Sequence, residues 1–383
     1  MLELAAVIKG VLPEYLRFWK TICNMETPSS DKKALNLQAD YIEQFCKEKG
    51  FSVSRQSYEL AGDTMVIELC GEIDKAPVVL LAHMDTVHKI GAFGYPPVQE
   101  RDGILFGPGV FDCKGGIAVS LLAMEAIAKS SKKHRSIKLI LNSDEEDGRF
   151  IGDEGVRFIQ ETSRGACAAF NAEAGREDSL TVGRKGIIKA EMQIHGIGGH
   201  AGNAYYECAS AIREAAYKII ELEAQSKGDI TYNCGIVNGG TAVNVVAECC
   251  TIGVDIRFKN AQQQNNALEV LERVAHTTFV DGCVTKLQID HIRPAMECTK
   301  GNLELFEKVA DIARSLGMGE LEAKERGGGS DSAYTVAVGI PTVCSMGTVG
   351  RYEHSVREEA DISTLESRAI LMAKSILNCF KGA

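Results

Sequence analysis

Apolar positions recur in two alternating rhythms along the first half of the chain. Over residues 34–49, Leu37, Tyr41 and Phe45 fall at helical spacing with Ile42 and Cys46 alongside, and Gly50 supplies the stop. Residues 51–59, 64–70 and 77–82 read as strands, the last an unbroken apolar run of the kind buried on both faces of a sheet. Helical runs at 116–129 and 155–162 then alternate with strands at 137–142 and 166–171. That alternation predicts an α/β layer fold.

Between Gly183 and Gly186 the texture changes. Ile188, Ala190, Met192 and Ile194 alternate with polar residues, as in a strand with one wet face. A helix at 205–225, strands at 230–237 and 249–258, a helix at 265–280 and a strand at 284–292 complete a small α+β unit that closes near Arg293 and Pro294. Beyond it, a helix at 302–316, glycines at 327–329, a strand at 341–346 and a last helix from Ile362 return to the earlier style. The pattern therefore predicts one domain of residues 1–185 plus 295–383, interrupted by an inserted domain of residues 186–294.

Composition narrows the function classes. With 45% apolar and 25% charged residues over 383 positions, the chain can bury a core and is not intrinsically disordered. Lys plus Arg minus Asp plus Glu is 42 − 52 = −10, which argues against nucleic acid or an anionic membrane as a partner. The first twenty residues lack both a basic start and an unbroken apolar run, and no segment has the apolar length of a membrane span. Thirteen cysteines, an odd number without a C-x-x-C pair, read as buried thiols in a reducing compartment. The expected location is the cytoplasm.

Candidate chemistry clusters just past predicted strands. His83-Met84-Asp85-Thr86-Val87 puts an imidazole and a carboxylate two residues apart, on one side of an extended chain, so that Asp85 can hold one ring nitrogen and leave the other for a metal. His88, five residues on from His83 and without a matching carboxylate, reads as a surface residue. The glycine-rich turn Gly107-Pro-Gly-Val-Phe-Asp112-Cys-Lys-Gly-Gly116 lacks the G-x-x-x-x-G-K-S/T spacing of a phosphate loop, and an aspartate at its tip suits a cation better than a phosphate. Nothing distinguishes Cys113 from the other thiols as a nucleophile. Asp144-Glu145-Glu146-Asp147, Glu173 and His354 follow three further strands. So many carboxylates in one layer call for a compensating positive charge, and two histidines with three carboxylates suit two divalent ions such as zinc.

The ordered set HMDTV, GPGVFDCKGG, SDEEDG, the Glu173 region, GRKG, GGHAG, NVV, DIRF, GGGSDSAY and EHS resembles the zinc aminoacylase/carboxypeptidase metallopeptidase superfamily, most closely its folate-cleaving glutamate carboxypeptidases, over nearly the whole chain. The resemblance implies a mixed sheet with helices on both faces, as in di-zinc exopeptidases, and makes the inserted α+β domain a lid and dimerisation domain. It implies His83 and Glu173 as ligands of one ion, Glu146 and His354 as ligands of the other, and Asp112 as the bridge. Asp85 would orient His83, and Glu145 would be the base that deprotonates the attacking water and returns the proton to the leaving nitrogen.

In the same family the GGHAG histidine, here His200, donates to the oxyanion and arrives from the partner subunit in dimeric relatives. Arg257 and Asn244 correspond to residues that hold the substrate's terminal carboxylate, for which a guanidinium fork is suited. Gly328, Gly329 and Ser330 would add backbone and hydroxyl donors. Two departures stand out: Ala247 replaces a frequent proline, and Arg326 sits one place nearer the glycines than in relatives. The reading is a metal-dependent carboxypeptidase with two zinc ions, cobalt or manganese being alternatives, that releases a C-terminal glutamate-like amino acid. Its substrate would be a small peptide or N-acyl amino acid with a free carboxylate, and its partner a second copy joined through the lid. Alternatives are an N-acyl amino acid deacylase, a di- or tripeptidase, or a binding protein that keeps the fold without catalysis.

Overall fold

In the computed structural model, which describes residues 2–378, alternate side chains of the strand Ile73–His83 enter two different cores. Val78, Leu80 and Ala82 pack with the helices Leu2–Asn24, Lys32–Glu48, Lys114–Ala128, Lys300–Ser315 and Thr364–Asn378, whereas Val79 and Leu81 pack with Ile151, Ile159, Tyr334 and Ile340 on the other face. The sheet is six-stranded, in the order Ser52–Gln56, Thr64–Leu69, Arg135–Asn142, Ile73–His83, Ala168–Asn171, Thr342–Val343. Its first two neighbouring pairs are antiparallel and the other three parallel. It is thus a mixed sheet with helices on both faces.

Local differences from the sequence pattern have packing causes. The second helix buries Leu35, Ala39, Ile42, Phe45 and Cys46, which turns Leu37 outward at 53% exposure. No element is predicted over the first 24 residues, yet Leu2–Asn24 is one helix with Pro13 inside it. An interior proline costs about 3 kcal/mol. Burying Ile8, Tyr15, Phe18, Trp19 and Ile22, at roughly 1.5–3 kcal/mol each, more than offsets it. The same helix reaches the site region: the Trp19 indole N–H donates to the Val110 carbonyl at 3.1 Å.

Residues Arg184–Glu297 with Arg326–Gly329 form the second unit. Relative to the expected boundaries, Arg326–Gly329 joins it because Lys185 N–H donates to the Arg326 carbonyl and Arg184 Nη1 to the Gly329 carbonyl. A Cβ at Gly329 would come within 2.9 Å of Ile187 and 3.1 Å of Arg293, so a side chain there would need both neighbours to give way. The unit's antiparallel sheet has the order Thr231–Gly239, Cys249–Phe258, Gly186–His195, Val284–Arg293. Helices Ala211–Glu223 and Ala261–His276 share its core. The first starts later than its periodicity suggests because Ser210 caps it by accepting from Arg213 N–H; Tyr205–Glu207 is a separate single turn. Buried Lys218 closes the end of the second, donating to the carbonyls of Val274, Ala275 and Thr277 and pairing with Glu214 at 3.1 Å.

The twelve described cysteines are thiols, six of them buried, while Cys70, Cys249 and Cys298 are exposed; Cys379 lies outside the described residues. No helix among the described residues is long and apolar enough to cross a membrane.

Candidate metal centre

Four adjacent parallel strands end on the same side of the sheet, and each delivers part of one cluster. His83 closes its strand; Glu145 and Glu146 follow Asn142; Glu173 follows Asn171; and the chain beyond Thr342–Val343 leads to His354. Ligands gather at such carboxyl ends because the strands stop there while the connecting loops diverge.

Asp112 lies between the rest. Its Oδ1 is 3.2 Å from His83 Nε2, which is also 3.7 Å from Glu173 Oε1. Its Oδ2 is 3.5 Å from His354 Nε2, and that nitrogen is 3.0 Å from Glu146 Oε2. Two groups of ligand-type atoms therefore share one carboxylate: His83, Asp112 and Glu173 with the thiol of Cys113, and Asp112, Glu146 and His354. The donor set fits borderline or hard divalent cations, with nitrogen and oxygen on both sides of the shared residue.

Behind the ligand-type residues, Asp85 is fully buried. It accepts from Ser29 Oγ at 2.6 Å and from the backbone N–H groups of Glu145 and Glu146 at 3.1 Å, and it lies 3.3 Å from His83 Nδ1. One carboxylate thereby orients the imidazole and fixes the turn that carries the two glutamates. Asp144 shapes the rest of that turn by accepting from the N–H groups of Gly148, Phe150 and Ile151; burial and the charge of Asp85 push it up to about 7.

The ionisable groups of the cluster shift one another strongly. Hydrogen bonds to Asp112 and Glu146 raise His354 to about 11. Burial, then the charge of Asp112, pushes Glu146 above the usual carboxylate range. Asp112 moves the other way: burial opposes ionisation, but His354 and His83 hold it well below that range. A divalent cation at these groups would compete with protons for the same nitrogen and oxygen atoms.

Several residues that the sequence pattern passes over support this cluster. His88 is not on the surface: it is 8% exposed and its Nε2 lies 3.0 Å from Glu358 Oε2. Arg176 stacks 5.0 Å over the Phe111 ring, donates to the Gly350 carbonyl and pairs with Glu353, tying the loop before Asp112 to the loop of His354. Lys114 is buried, donates to the Ile22 carbonyl at 3.0 Å, and is pushed down by burial to about 8. Cys113 accepts from His83 N–H at 3.2 Å, and burial holds its thiol protonated. No spacing in the sequence marks Arg176 or Glu358, because their partners are remote along the chain.

In the second unit, His200 and Asn244 are neighbours. His200 lies opposite Val245, and Ala201 N–H donates to the Asn244 carbonyl at 3.0 Å. His200 is exposed, and its Nδ1 accepts from Gly202 N–H at 3.1 Å, which leaves Nε2–H as an outward donor. Arg257 is at the other end of the sheet. It pairs with Ile187, the residue against which Gly329 packs, and the run from Cys249 to Arg257 spans about 26 Å. Its fork does not stand open as expected: Nε and Nη2 are held by Asp255 at 2.6 and 2.9 Å, leaving the Nη1 edge. Ser330 likewise turns inward; its buried hydroxyl meets Cys344 Sγ at 3.8 Å and accepts from Ser332 N–H. Gly328 lies 3.7 Å, measured from an added Cβ, from Arg184 Nη1.

Residues 79–378 match the family described as Peptidase family M20/M25/M40. The chain is 27% identical over 380 residues to carboxypeptidase G2 of Pseudomonas sp. (strain RS-16), covering 97% of this chain and 90% of that one. It is 24% identical over 373 residues to the succinyl-diaminopimelate desuccinylase of Wolbachia pipientis wMel, covering 89% and 88%. Its fold matches that of the M20 family metallo-carboxypeptidase from Sulfolobus solfataricus with a TM-score of 0.78 at 14% identity, over 95% and 98% of the two chains. A tripeptidase from Staphylococcus aureus matches with a TM-score of 0.77 at 20% identity, over 96% and 97%.

Proposed function

The chain belongs to peptidase family M20/M25/M40 and is a metal-dependent hydrolase of amide bonds, and from that premise we propose that it is a two-zinc carboxypeptidase releasing a C-terminal glutamate-like amino acid. The observation that carries the reading is the single carboxylate of Asp112 shared by two ligand groups, with Glu145 beside Glu146 and outside both groups. Bound there, two divalent cations would supply Lewis acidity, bringing water toward a pKa of about 7 and polarising the amide carbonyl. Glu145 takes the proton of the attacking water and hands it to the departing nitrogen. Asp85 keeps His83 facing Asp112 throughout. The outward Nε2–H of His200 serves as donor to the oxyanion, and its present tautomer suits that role.

For the leaving amino acid, the Nη1 edge of Arg257 and the backbone of Gly328 and Gly329 are the proposed carboxylate contacts, with Asn244 arriving together with the His200 end. Likeness to carboxypeptidase G2 over 97% of the chain supports this side of the substrate; likeness to the desuccinylase keeps an N-acyl amino acid deacylase as the second reading. A panel of peptidyl-, N-acetyl- and N-succinyl-glutamates and succinyl-diaminopimelate, assayed with zinc-loaded protein, separates them. Fastest release of glutamate from the peptidyl compounds is expected; preference for succinyl-diaminopimelate would replace this reading by the second.

The run from Cys249, at the end of the sheet next to the Val245–Val246 pairing of His200, to Arg257 spans about 26 Å, which argues against His200 and Arg257 of one unit gripping one small substrate together. This supports a homodimer in which the partner's lid contributes the His200 end. Among the described residues the strand Thr231–Gly239 has a neighbour on one side only, and Ile236 and Ile220 are 62% and 69% exposed on the same unit. The double variant Ile220→Asp with Ile236→Lys should shift the protein from dimer to monomer in light scattering and lose most turnover. A fully active wild-type monomer would refute the shared site. The thiol-rich composition supports a reducing, cytoplasmic setting.

A further inference from the structure

The glycine-rich turn before Asp112 does cradle an anion, and the anion is part of the chain. Glu358, 1% exposed, sits inside the turn: Oε1 accepts from the N–H groups of Phe111 at 2.9 Å and Asp112 at 3.0 Å, and Oε2 from Gly109 N–H at 3.3 Å. The Glu358 carbonyl accepts from Gly107 N–H at 3.3 Å, so the turn is held at both ends of the residue. Gly109 has φ +71°, and a Cβ there would meet Thr86 at 2.9 Å and Lys114 at 3.1 Å; a side chain would push this amide away. On the far side His88 Nε2 lies 3.0 Å from Oε2, its ring set at 89° against Phe93. Every acceptor direction of the carboxylate is thus used by three backbone amides and one imidazole.

Two facts make this more than a structural plug. The amide of Asp112 itself is one of the donors, so Glu358 sets the backbone from which the shared carboxylate projects. Glu358 also lies four residues beyond His354: Ser355 N–H donates to the Tyr352 carbonyl at 3.2 Å, closing the turn that holds His354 at φ +60°, and Glu358 N–H donates to the Ser355 carbonyl at 3.0 Å, closing the next turn. We infer that Glu358, held by His88, is a positioning pair that couples the shared ligand Asp112 to the terminal ligand His354 and so presets the spacing of the two-cation centre. The inference rests on the metal-centre reading above. Oriented supports of this kind contribute to metal affinity because a ligand already aimed loses less freedom on binding.

The test strips the full-length protein of metal and titrates zinc against a chromophoric chelator for wild type, Glu358→Gln and His88→Gln, with far-UV circular dichroism and the visible absorption of the cobalt-loaded forms. Glutamine keeps the volume of Glu358 but turns an amide donor toward backbone donors. Wild type should take up two equivalents of zinc. Glu358→Gln should bind about 10- to 100-fold more weakly with an altered cobalt band and native dichroism, the range for outer partners of metal ligands. His88→Gln should lose about fivefold, the worth of one hydrogen bond. A folded Glu358→Gln with wild-type affinity and an unchanged cobalt band would overturn the inference. If that variant does not fold, wild-type affinity and spectrum in His88→Gln overturn it instead. Absence of zinc uptake by the wild type would remove the metal-centre reading and the inference with it.

Discussion

Glu145→Ala should lower turnover by about 10²- to 10⁴-fold, the usual contribution of a positioned general base, while zinc content stays at the wild-type level. The two halves of this expectation come from different contacts. The backbone N–H of Glu145 donates to Asp85, so the turn keeps its anchor whatever the side chain is. The carboxylate belongs to neither ligand group, yet it is near enough to Glu146 to help raise that residue. Removing it takes away a proton acceptor and leaves all five proposed ligands. The Michaelis constant should move little, because the lost interaction is made in the transition state. Steady-state kinetics with elemental analysis decide the matter: undiminished turnover rejects Glu145 as the base, and loss of zinc makes it a ligand.

Asp112→Asn should act on binding and catalysis together. Asp112 is the one residue common to both ligand groups, with His83 at 3.2 Å and His354 at 3.5 Å on its two oxygens. An amide keeps the shape, removes the charge and turns one oxygen into a donor. Zinc affinity should fall by more than the roughly 100-fold limit for outer partners, and turnover should not return when zinc is added back after chelation, as it should for wild type. The pH dependence of loading should change in the same variant. In the wild type His354 is raised to about 11 by Asp112 and Glu146, so zinc must displace its proton, and affinity rises with pH. Without the Asp112 charge His354 gives up its proton at lower pH, and this dependence becomes shallower. Isothermal titration of stripped protein in buffers of different ionisation enthalpy measures the protons released. Two tightly held zincs in Asp112→Asn would refute the shared-ligand arrangement.

These expectations draw on features that differ in how far the chain alone reveals them. Five ligand-type residues stand at or just beyond short apolar strands or on a glycine-rich turn, where a polar residue breaking an apolar run is conspicuous. Parallel strands of one sheet end on one side, so local pattern and a general property of sheets together bring His83, Glu146, Glu173 and His354 into one region. The pairing of His83 with Asp85 is equally local, since extended residues two apart share a side.

Other parts depend on which remote segments meet. His88 reads as a surface residue because its carboxylate, Glu358, is 270 positions away. Arg176 reaches Glu353 across 177 positions, and Trp19 reaches the Val110 carbonyl across 91. The Arg257 fork looks open until Asp255, on the same strand face, is seen to occupy it. The helix with Pro13 exists because a buried apolar face outweighs a local penalty, a balance that only packing can strike.

Alternating hydrophobicity and strand-end polarity, both properties of neighbouring residues, determined the α/β layering, the inserted unit and the ligand-type residues. The tertiary structure alone decided which carboxylate is shared, which imidazole is buried and what fills the glycine-rich cradle, because hydrogen bonds between segments hundreds of residues apart form only after the apolar faces have chosen their neighbours.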